Sequence, residues 1–466
     1  MVSNSQNIEI GSRNLVEELS GGDSLPTLHI RNIIITGNKK TKDYIILREM
    51  FLKPGDSVST KKLNDALERD RRFIYNTTLF AEVTIVPVMI TAYDFDINIS
   101  VKEKWYIYPL PEFRLVDRSI NEWIQKYKGD LSRVNYGIKF VHYNLSGRKD
   151  QLKIYLLNGY TRNISFNYKA PYANAKLTNG FSVGGGYSLA REIAYKTSYD
   201  NKYLYYKKQN FVQASWNIGA SYSIRKGIRK SESIGISYTD LKVDDSVLNI
   251  KYNPAFTNKS TAQVGFIDIG YTLSFTDVDN VLYPLTGYSA SFNVQKRGKQ
   301  FTKNIDLFSL QAEYNKYWPL GKKWYISAQM QGKIKLPLRQ PYINQQAFGN
   351  GNTYLRGLEF AVIDGTAYAL SKYNLKREIL NFNVKTFFKK SKVLNKIPFR
   401  FYAKTYADVG YSYLEKKFES QLNNKLLYSG GFGIDIVTFY DIQIRLEYSF
   451  NQLGQNSLFL RNDKGF

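Results

Sequence analysis

FVQASWNIGASYSI, residues 211–224, alternates strictly. Val212, Ala214, Trp216, Ile218, Ala220, Tyr222 and Ile224 fall on one side, and Gln213, Ser215, Asn217, Gly219, Ser221 and Ser223 on the other. A period of two is that of a β-strand with one apolar and one hydrated face. The pattern returns at 267–275, where Ile267, Ile269, Tyr271, Leu273 and Phe275 oppose Asp268, Gly270, Thr272 and Ser274. It returns again at 442–450, with Ile442, Ile444, Leu446, Tyr448 and Phe450 against Gln443, Arg445, Glu447 and Ser449. A soluble sandwich would turn apolar faces inward. Here the polar faces are small and hydrated and the apolar ones end in aromatics, which suits a barrel with lipid outside and water inside.

Composition agrees. The hydrophobic fraction of 43% and mean hydropathy of -0.38 are low because half of every barrel strand must be polar. No stretch reaches the roughly 18 apolar residues of a helical span. The 38 Tyr and 28 Phe supply aromatic girdles at the two membrane interfaces. A net charge of +25 would suit nucleic acid. The Lys and Arg are dispersed, however, without a basic helix or a zinc or RNA motif, so anionic lipid or lipopolysaccharide is the expected counter-charge. With Cys 0 and only His29 and His142, there is no thiolate or His cluster for a metal and no Ser-His-Asp set. Gly184-Gly185-Gly186 sits inside an alternating segment without a following Lys and helix, so it reads as a kink or a site of close packing and not a phosphate loop. Neither an enzyme nor a cofactor is expected.

Residues 1–26 are polar, with Gly21, Gly22 and Asp23 forming a linker, and they lack the basic start and apolar core of a signal peptide. A membrane barrel needs such a signal, so Met1 is expected to replace a removed one. Residues 27–104 form a small domain. Leu28–Thr36 reads as a strand closed by Gly37-Asn38. Thr41 is placed to cap a helix with Tyr44, Leu47 and Phe51 on one face, and Ser59 or Thr60 starts a second with Leu63, Ala66, Leu67, Phe73 and Ile74 buried. Strands follow at about Glu82–Ile90 and Phe95–Lys102, giving the order β-α-α-β-β. That order, with ITGNKKT (35–41), LNDALERDRRFIYNTTLFAEV (63–83) and INISVKEKW (97–105), resembles a POTRA domain, the periplasmic module of BamA- and TamA-like outer-membrane proteins. The resemblance implies an exposed strand edge that takes an extended client by β-augmentation.

Residues 105–466 are the barrel. Alternating segments start near Trp105, Asn135, Gln151, Asn163, Gly180, Asn210, Ser233, Gln263, Tyr288, Ile305, Trp324, Thr366, Phe399, Leu427, Ile442 and Ser457. These predict a transmembrane antiparallel β-barrel of about 16 strands, an even number as a single bacterial chain requires. Four pieces again resemble the BamA-like superfamily, in order: NYGIKFVHYNLSGRKDQLKIYLLNGY (135–160), TDVDNVLYPLTGYSASF (276–292), FGNGNTYLRGLEF (348–360) and FRFYAKTYADVGY (399–411). The third resembles the sixth extracellular loop, which in that family folds into the lumen and pairs its Arg with acids on the wall. The resemblance thus implies a lumenal lock of Arg356 and Gly357. Parity puts Arg400, Lys404 and Asp408 inward, so Asp408 is on the right face. Lys372, Asn374 and Glu378 also face the lumen, but the acid expected near that strand's middle is absent; either Glu378 substitutes or Asp408 acts alone.

The terminal strands form a second candidate site. The first carries Trp105, Tyr106, Tyr108, Pro109, Leu110 and Pro111, and each Pro removes a ladder donor. The last, Ser457–Phe466, presents Leu458, Leu460 and Phe466 but is interrupted by Arg461, Asp463, Lys464 and Gly465. The seam between them reads as weakly paired, through function or through ordinary terminal fraying. Resemblance and seam together imply an outer-membrane insertase or translocase with a single POTRA. Its expected partners are unfolded outer-membrane or secreted clients, with accessory periplasmic or lipoprotein partners. The alternatives are a two-partner secretion translocator and a passive channel, which inward Lys139, Lys153, Lys169, Lys333 and Lys335 would make anion-favouring.

Overall fold

A computed structural model describes residues 27–116, 123, 128–257, 261–298, 305–349, 353–386, 396–415 and 419–461. The chain divides into two compact units: the first runs to Trp105 and includes Ser146–Lys149, and the second comprises Tyr106–Leu145 and the chain from Asp150 onward.

The first unit contains β1 (Thr27–Thr36), α1 (Asp43–Leu47), β2 (Ser57–Ser59), α2 (Thr60–Tyr75), β3 (Phe80–Met89) and β4 (Asp94–Glu103). Its sheet order is β2-β1-β4-β3, with β1 and β4 parallel. Apolar periodicity builds the core: Ile30, Phe80, Phe95, Ile97 and Ile99 from the sheet meet Ile45, Ile46, Leu67, Phe73 and Ile74 from the helices. Short β2 was absent from the expected order; three residues between two helices carry too little alternation to be seen. Thr41 does not cap α1. Lys42 holds that position without a side-chain bond, and the Glu103 carboxylate accepts from the backbone N–H groups of Lys40 and Thr41 instead.

Asp70 lies in the buried stripe of α2 and is fully buried. Its Oδ2 accepts from the N–H groups of Phe51 at 3.1 Å and Leu52 at 2.9 Å, which buckles the turn after α1 onto α2. Burial pushes the carboxyl above its ordinary pKa, and the two backbone donors and Arg69 only partly offset this. A raised acid pKa in the fold gives stability that is complete below the unfolded pKa and lost as pH rises through the folded one. Asp70→Asn lacks that proton step. The wild-type-minus-variant difference in stability of this unit, followed by thermal unfolding, should therefore shrink as pH rises from about 3 to about 7.

The second unit is one antiparallel sheet of sixteen strands. Its first half comprises β5 (Ile107–Leu115), β6 (Val134–Tyr143), β7 (Gln151–Gly159), β8 (Thr161–Ala170) and β9 (Asn179–Ala190). A hairpin of β10 (Glu192–Thr197) and β11 (Tyr203–Lys207) then lies outside the main sheet. The sheet resumes with β12 (Gln213–Ile224), β13 (Lys230–Val243), β14 (Gln263–Val278), β15 (Gly287–Gly298), β16 (Asp306–Gly321) and β17 (Trp324–Leu336). Between β17 and the next long strand, the described part of the connection 337–366 forms a 3-10 turn at Tyr342–Asn344 and the small pair β18 (Gln346–Phe348) and β19 (Ile363–Asp364). Then come β20 (Ala367–Lys385), β21 (Lys396–Tyr413), β22 (Leu426–Val437), β23 (Gln443–Asn451) and β24 (Asn456–Arg461).

The sheet rolls up, so that Tyr283, in the turn from β14 to β15, donates to Asp435 of β22 at 2.9 Å. Alternation sorts the two faces. On β21, Tyr402, Lys404, Tyr406, Asp408 and Ser412 are buried toward the lumen, while Val409 and Tyr411 are exposed on the lipid side. Trp216, Ile218 and Tyr222 of β12 are likewise exposed outward, the arrangement of a membrane barrel.

The sheet ends at β5 on one side and β24 on the other, and among the described residues no ladder joins them. Tyr143 donates to the Tyr106 carbonyl and Val116 to the Arg133 carbonyl, so even-numbered residues of the first strand point their backbone groups at β6. By alternation the odd-numbered ones point outward. Pro109 and Pro111, which pair with Phe140 and Ile138, thus delete donors from the free edge and leave the ladder to β6 intact. Sequence alone showed lost donors but not which side lost them.

Candidate functional site

The site is built on connection 337–366, which folds back against the lumenal wall of β20–β23. Apolar packing seats it: Phe348, Leu355, Leu358 and Ile363 bury against Tyr368, Leu370 and Leu427 of the wall strands. Gly357 has φ +84 and lies so close to β23 that a Cβ would stand 3.1 Å from that of Ser449. Its carbonyl accepts from Asn451 Nδ2 at 2.7 Å. Glycine serves here both for the left-handed backbone and for the close approach.

Arg356, beside it, is 1% exposed, and its partner Asp408 is fully buried. The guanidinium Nε donates to both carboxylate oxygens at 3.1 and 3.0 Å, and an Nη donates to Oδ1 at 2.5 Å. The Arg356 backbone N–H adds a bond to Oδ2 at 2.8 Å. That same Nη also donates to the Tyr373 carbonyl at 3.3 Å, and the other Nη donates to Asn374 Oδ1 at 2.5 Å. The ring of Tyr406 lies 4.0 Å below the guanidinium. Four of the planar group's five N–H donors are thus bonded, which fixes both position and orientation of the loop.

Glu378 is not part of this lock. It faces the lumen but pairs with Lys323 at 2.9 Å and accepts from Tyr402 at 3.2 Å. It stands four residues along the strand from Asn374, roughly 13 Å at strand rise, too far down to meet Arg356. The middle-strand position that the resemblance assigns to an acid is filled by Asn374, whose amide oxygen accepts without adding charge.

Sequence reasoning missed two further groups. Asn201, between β10 and β11, is fully buried and ties three loops together. Its Nδ2 donates to the Val362 carbonyl and Asn423, while its Oδ1 accepts from Leu422 and Ser420. A lone Asn in a polar loop gave no signal. The second group is an ionic cluster on the wall below the lock. Lys404 pairs with Asp435 at 2.5 Å and Glu447 at 2.6 Å, Asp435 also with Lys376 at 3.3 Å, and Glu447 also with Arg461 of β24 at 2.7 Å. Parity gave Lys404 and Glu447 a polar, lumenal face, but it did not single out Asp435, Lys376 or Arg461 and gave no shared height.

The seam residues are placed as follows. Trp105 is exposed and Tyr106 buried, both just before β5; Tyr108, Pro109 and Pro111 lie within it. Leu458 and Leu460 point to the lipid side of β24, at 64% and 74% exposure. Phe466 lies outside the described residues. Among the described residues the two strands are not brought into a ladder with each other.

A small mixed domain ahead of a sixteen-stranded barrel, with an arginine loop locked to the lumenal wall, defines an outer-membrane barrel protein carrying one POTRA module. Residues 28–104 match the POTRA family model, a surface antigen variable number repeat, and residues 144–453, more than half of the chain, match the Omp85 superfamily domain. The chain belongs to the Omp85 superfamily, and it is an integral outer-membrane protein with its N-terminal domain in the periplasm. It is 26% identical over 264 residues, 56% of this chain and 31% of the relative, to the outer membrane protein assembly factor BamA of Neorickettsia risticii (strain Illinois). A putative outer membrane protein assembly factor of Treponema pallidum (strain Nichols) is 47% identical over 55 residues, 12% of this chain and 7% of that one. The chain therefore spans under a third of the curated relatives it matches. Among solved structures, BamA from Haemophilus ducreyi lacking POTRA domains 1-3 is similar in fold, with a TM-score of 0.50 at 14% identity, covering 99% of this chain and 93% of that one. CdiB from Escherichia coli has a TM-score of 0.49 at 10% identity over 100% and 97% of the two chains.

Proposed function

We propose that the protein inserts or translocates client polypeptides at the outer membrane, taking up an extended client segment on the β3 edge and templating it at the edges of β5 and β24. The observation that carries this reading is that, among the described residues, the sheet ends in two edges, one of which lacks two donors at Pro109 and Pro111. A closed barrel offers no backbone groups to a client; an edge does. Exchange of one set of ladder bonds for another costs little net free energy, and client folding and lipid burial supply the drive.

The β3 edge suits capture. Ile90 donates to the Asp94 carbonyl, so even-numbered residues of β3 face β4, and Val83, Ile85 and Met89 present N–H groups outward. Backbone pairing of this kind demands little of the client's sequence. The membership of the Omp85 superfamily and the assembly-factor names of its curated relatives support the same reading.

The absence of cysteine allows a clean test. Cysteines introduced in pairs between residues 107–113 and 456–461 should, once oxidised, abolish the acceleration of client-barrel folding in liposomes, and reduction should restore it. Acceleration that survives a complete crosslink would overturn the seam. Large steady conductance with no acceleration at all would favour the passive channel.

A further inference from the structure

Among the described residues the last strand has the least backbone support of the barrel: β24 pairs only with β23, from Arg445↔Arg461 to Phe450↔Asn456. What holds its lumenal face is the locked loop. Phe459 packs on Phe360 of that loop with ring centroids 5.6 Å apart. Two residues on, and so on the same face, Arg461 forms an ion pair with loop Glu359 and another with Glu447 of β23, and its guanidinium lies 4.7 Å over the ring of loop Tyr354. These side chains are largely buried, at 11% exposure for Arg461, 14% for Glu359 and 1% for Glu447. Tyr354, Glu359 and Phe360 flank Arg356, which is fixed to Asp408 on β21. One short run of loop therefore grips an inner wall strand and the terminal strand at once.

We propose that Arg461 and Glu359 form a latch that holds the terminal strand to the loop, so that release of the loop lets β24 loosen from β23. The proposal rests on the reading of β5 and β24 as a seam. Arg461 is a positioning residue in it. Its fork reaches two carboxylates on two elements, which a lysine's single ammonium group serves poorly. Glu447 keeps Lys404 at 2.6 Å when Arg461 leaves, so the wall stays charge-balanced while the strand moves. Glu359 is the loop's handle on that strand, and loss of its charge should weaken the grip without touching the Arg356 lock.

Hydrogen exchange on the full chain in lipid nanodiscs tests the latch. Asn451 donates to the Gln455 carbonyl, so by alternation the amides of Ser457, Phe459 and Arg461 are those protected by β23. In Glu359→Ala and in Arg461→Lys these amides should exchange roughly tenfold faster, with β12 and β13 unchanged. Arg356→Ala, which frees the loop at its other anchor, should do the same. Unchanged protection at 457–461 in both Glu359→Ala and Arg461→Lys would overturn the latch, as would an equal rise throughout the barrel. Client insertion measured on the same samples separates the two readings. Faster exchange with unaltered insertion upholds the latch and sinks the seam, whereas faster exchange with altered insertion supports both.

Discussion

Asp408→Ala should release residues 353–366 from the lumenal wall and destabilise the folded barrel by about 3–5 kcal/mol, the cost typical of orphaning one member of a buried ion pair. The magnitude follows from what is left behind. Arg356, 1% exposed, keeps Asn374 Oδ1 and the Tyr373 carbonyl but loses every anionic contact, and its own backbone N–H loses its acceptor. A wet lumen would let water repay part of this, yet the apolar packing of Leu355 and Leu358 around the pair excludes it locally. Urea titration of the folded form should show the loss, and protease cleavage within the loop should appear at concentrations where the parent resists. Arg356→Ala should cost a similar amount, and the double variant little more than either single one, because both remove the same interaction. Client assembly should fall in all three while barrel expression is mostly retained. A double variant whose loss equals the sum of the singles would show that the two residues act apart.

Much of this architecture is legible in sequence because a barrel wall imposes one rule on every residue. Period-two alternation placed strand starts at Gln151, Gln263 and Trp324 where the structure has them and most others within a few residues, since a one-residue error would turn a greasy face to water. The same rule put Asp408 and Lys404 on the lumenal face. It could not give height along the barrel. Glu378 and Asn374 share a face, and only the register Lys372↔Asp408 and Asn374↔Tyr406 shows which one stands level with Arg356. Register is a property of two strands together, and the 337–366 connection that selects the level is irregular. The β10–β11 hairpin was hidden for a related reason: its residues cover loops and not lipid, so neither face is uniformly apolar. Asn201 matters through four long-range side-chain bonds that no local pattern encodes.

Lys404→Met is expected to have the second large effect, again about 3–5 kcal/mol if the site stays dry. Lys404 is 5% exposed and stands between Asp435 and Glu447, each essentially buried, so its removal sets two carboxylates facing across an apolar side chain. Neither acid is abandoned outright. Asp435 retains Lys376 at 3.3 Å and the Tyr283 hydroxyl at 2.9 Å, and Glu447 retains Arg461 at 2.7 Å. Those remaining partners decide the outcome. Asp435 is held from below, by a turn anchored where Gln443 also donates to the Leu282 carbonyl, whereas the partner Glu447 keeps among the described residues is Arg461 of the terminal strand. Once Lys404 is gone, Glu447 should draw Arg461 more strongly, away from Glu359, and the loop should loosen its hold on β24 even though no residue of either was changed. The variant should therefore combine a lower urea midpoint with faster amide exchange at 457–461. Lys404→Arg, which keeps a cation between the acids, should recover most of the midpoint. A Lys404→Met barrel as stable as the parent would show that water, and not protein, neutralises this part of the wall.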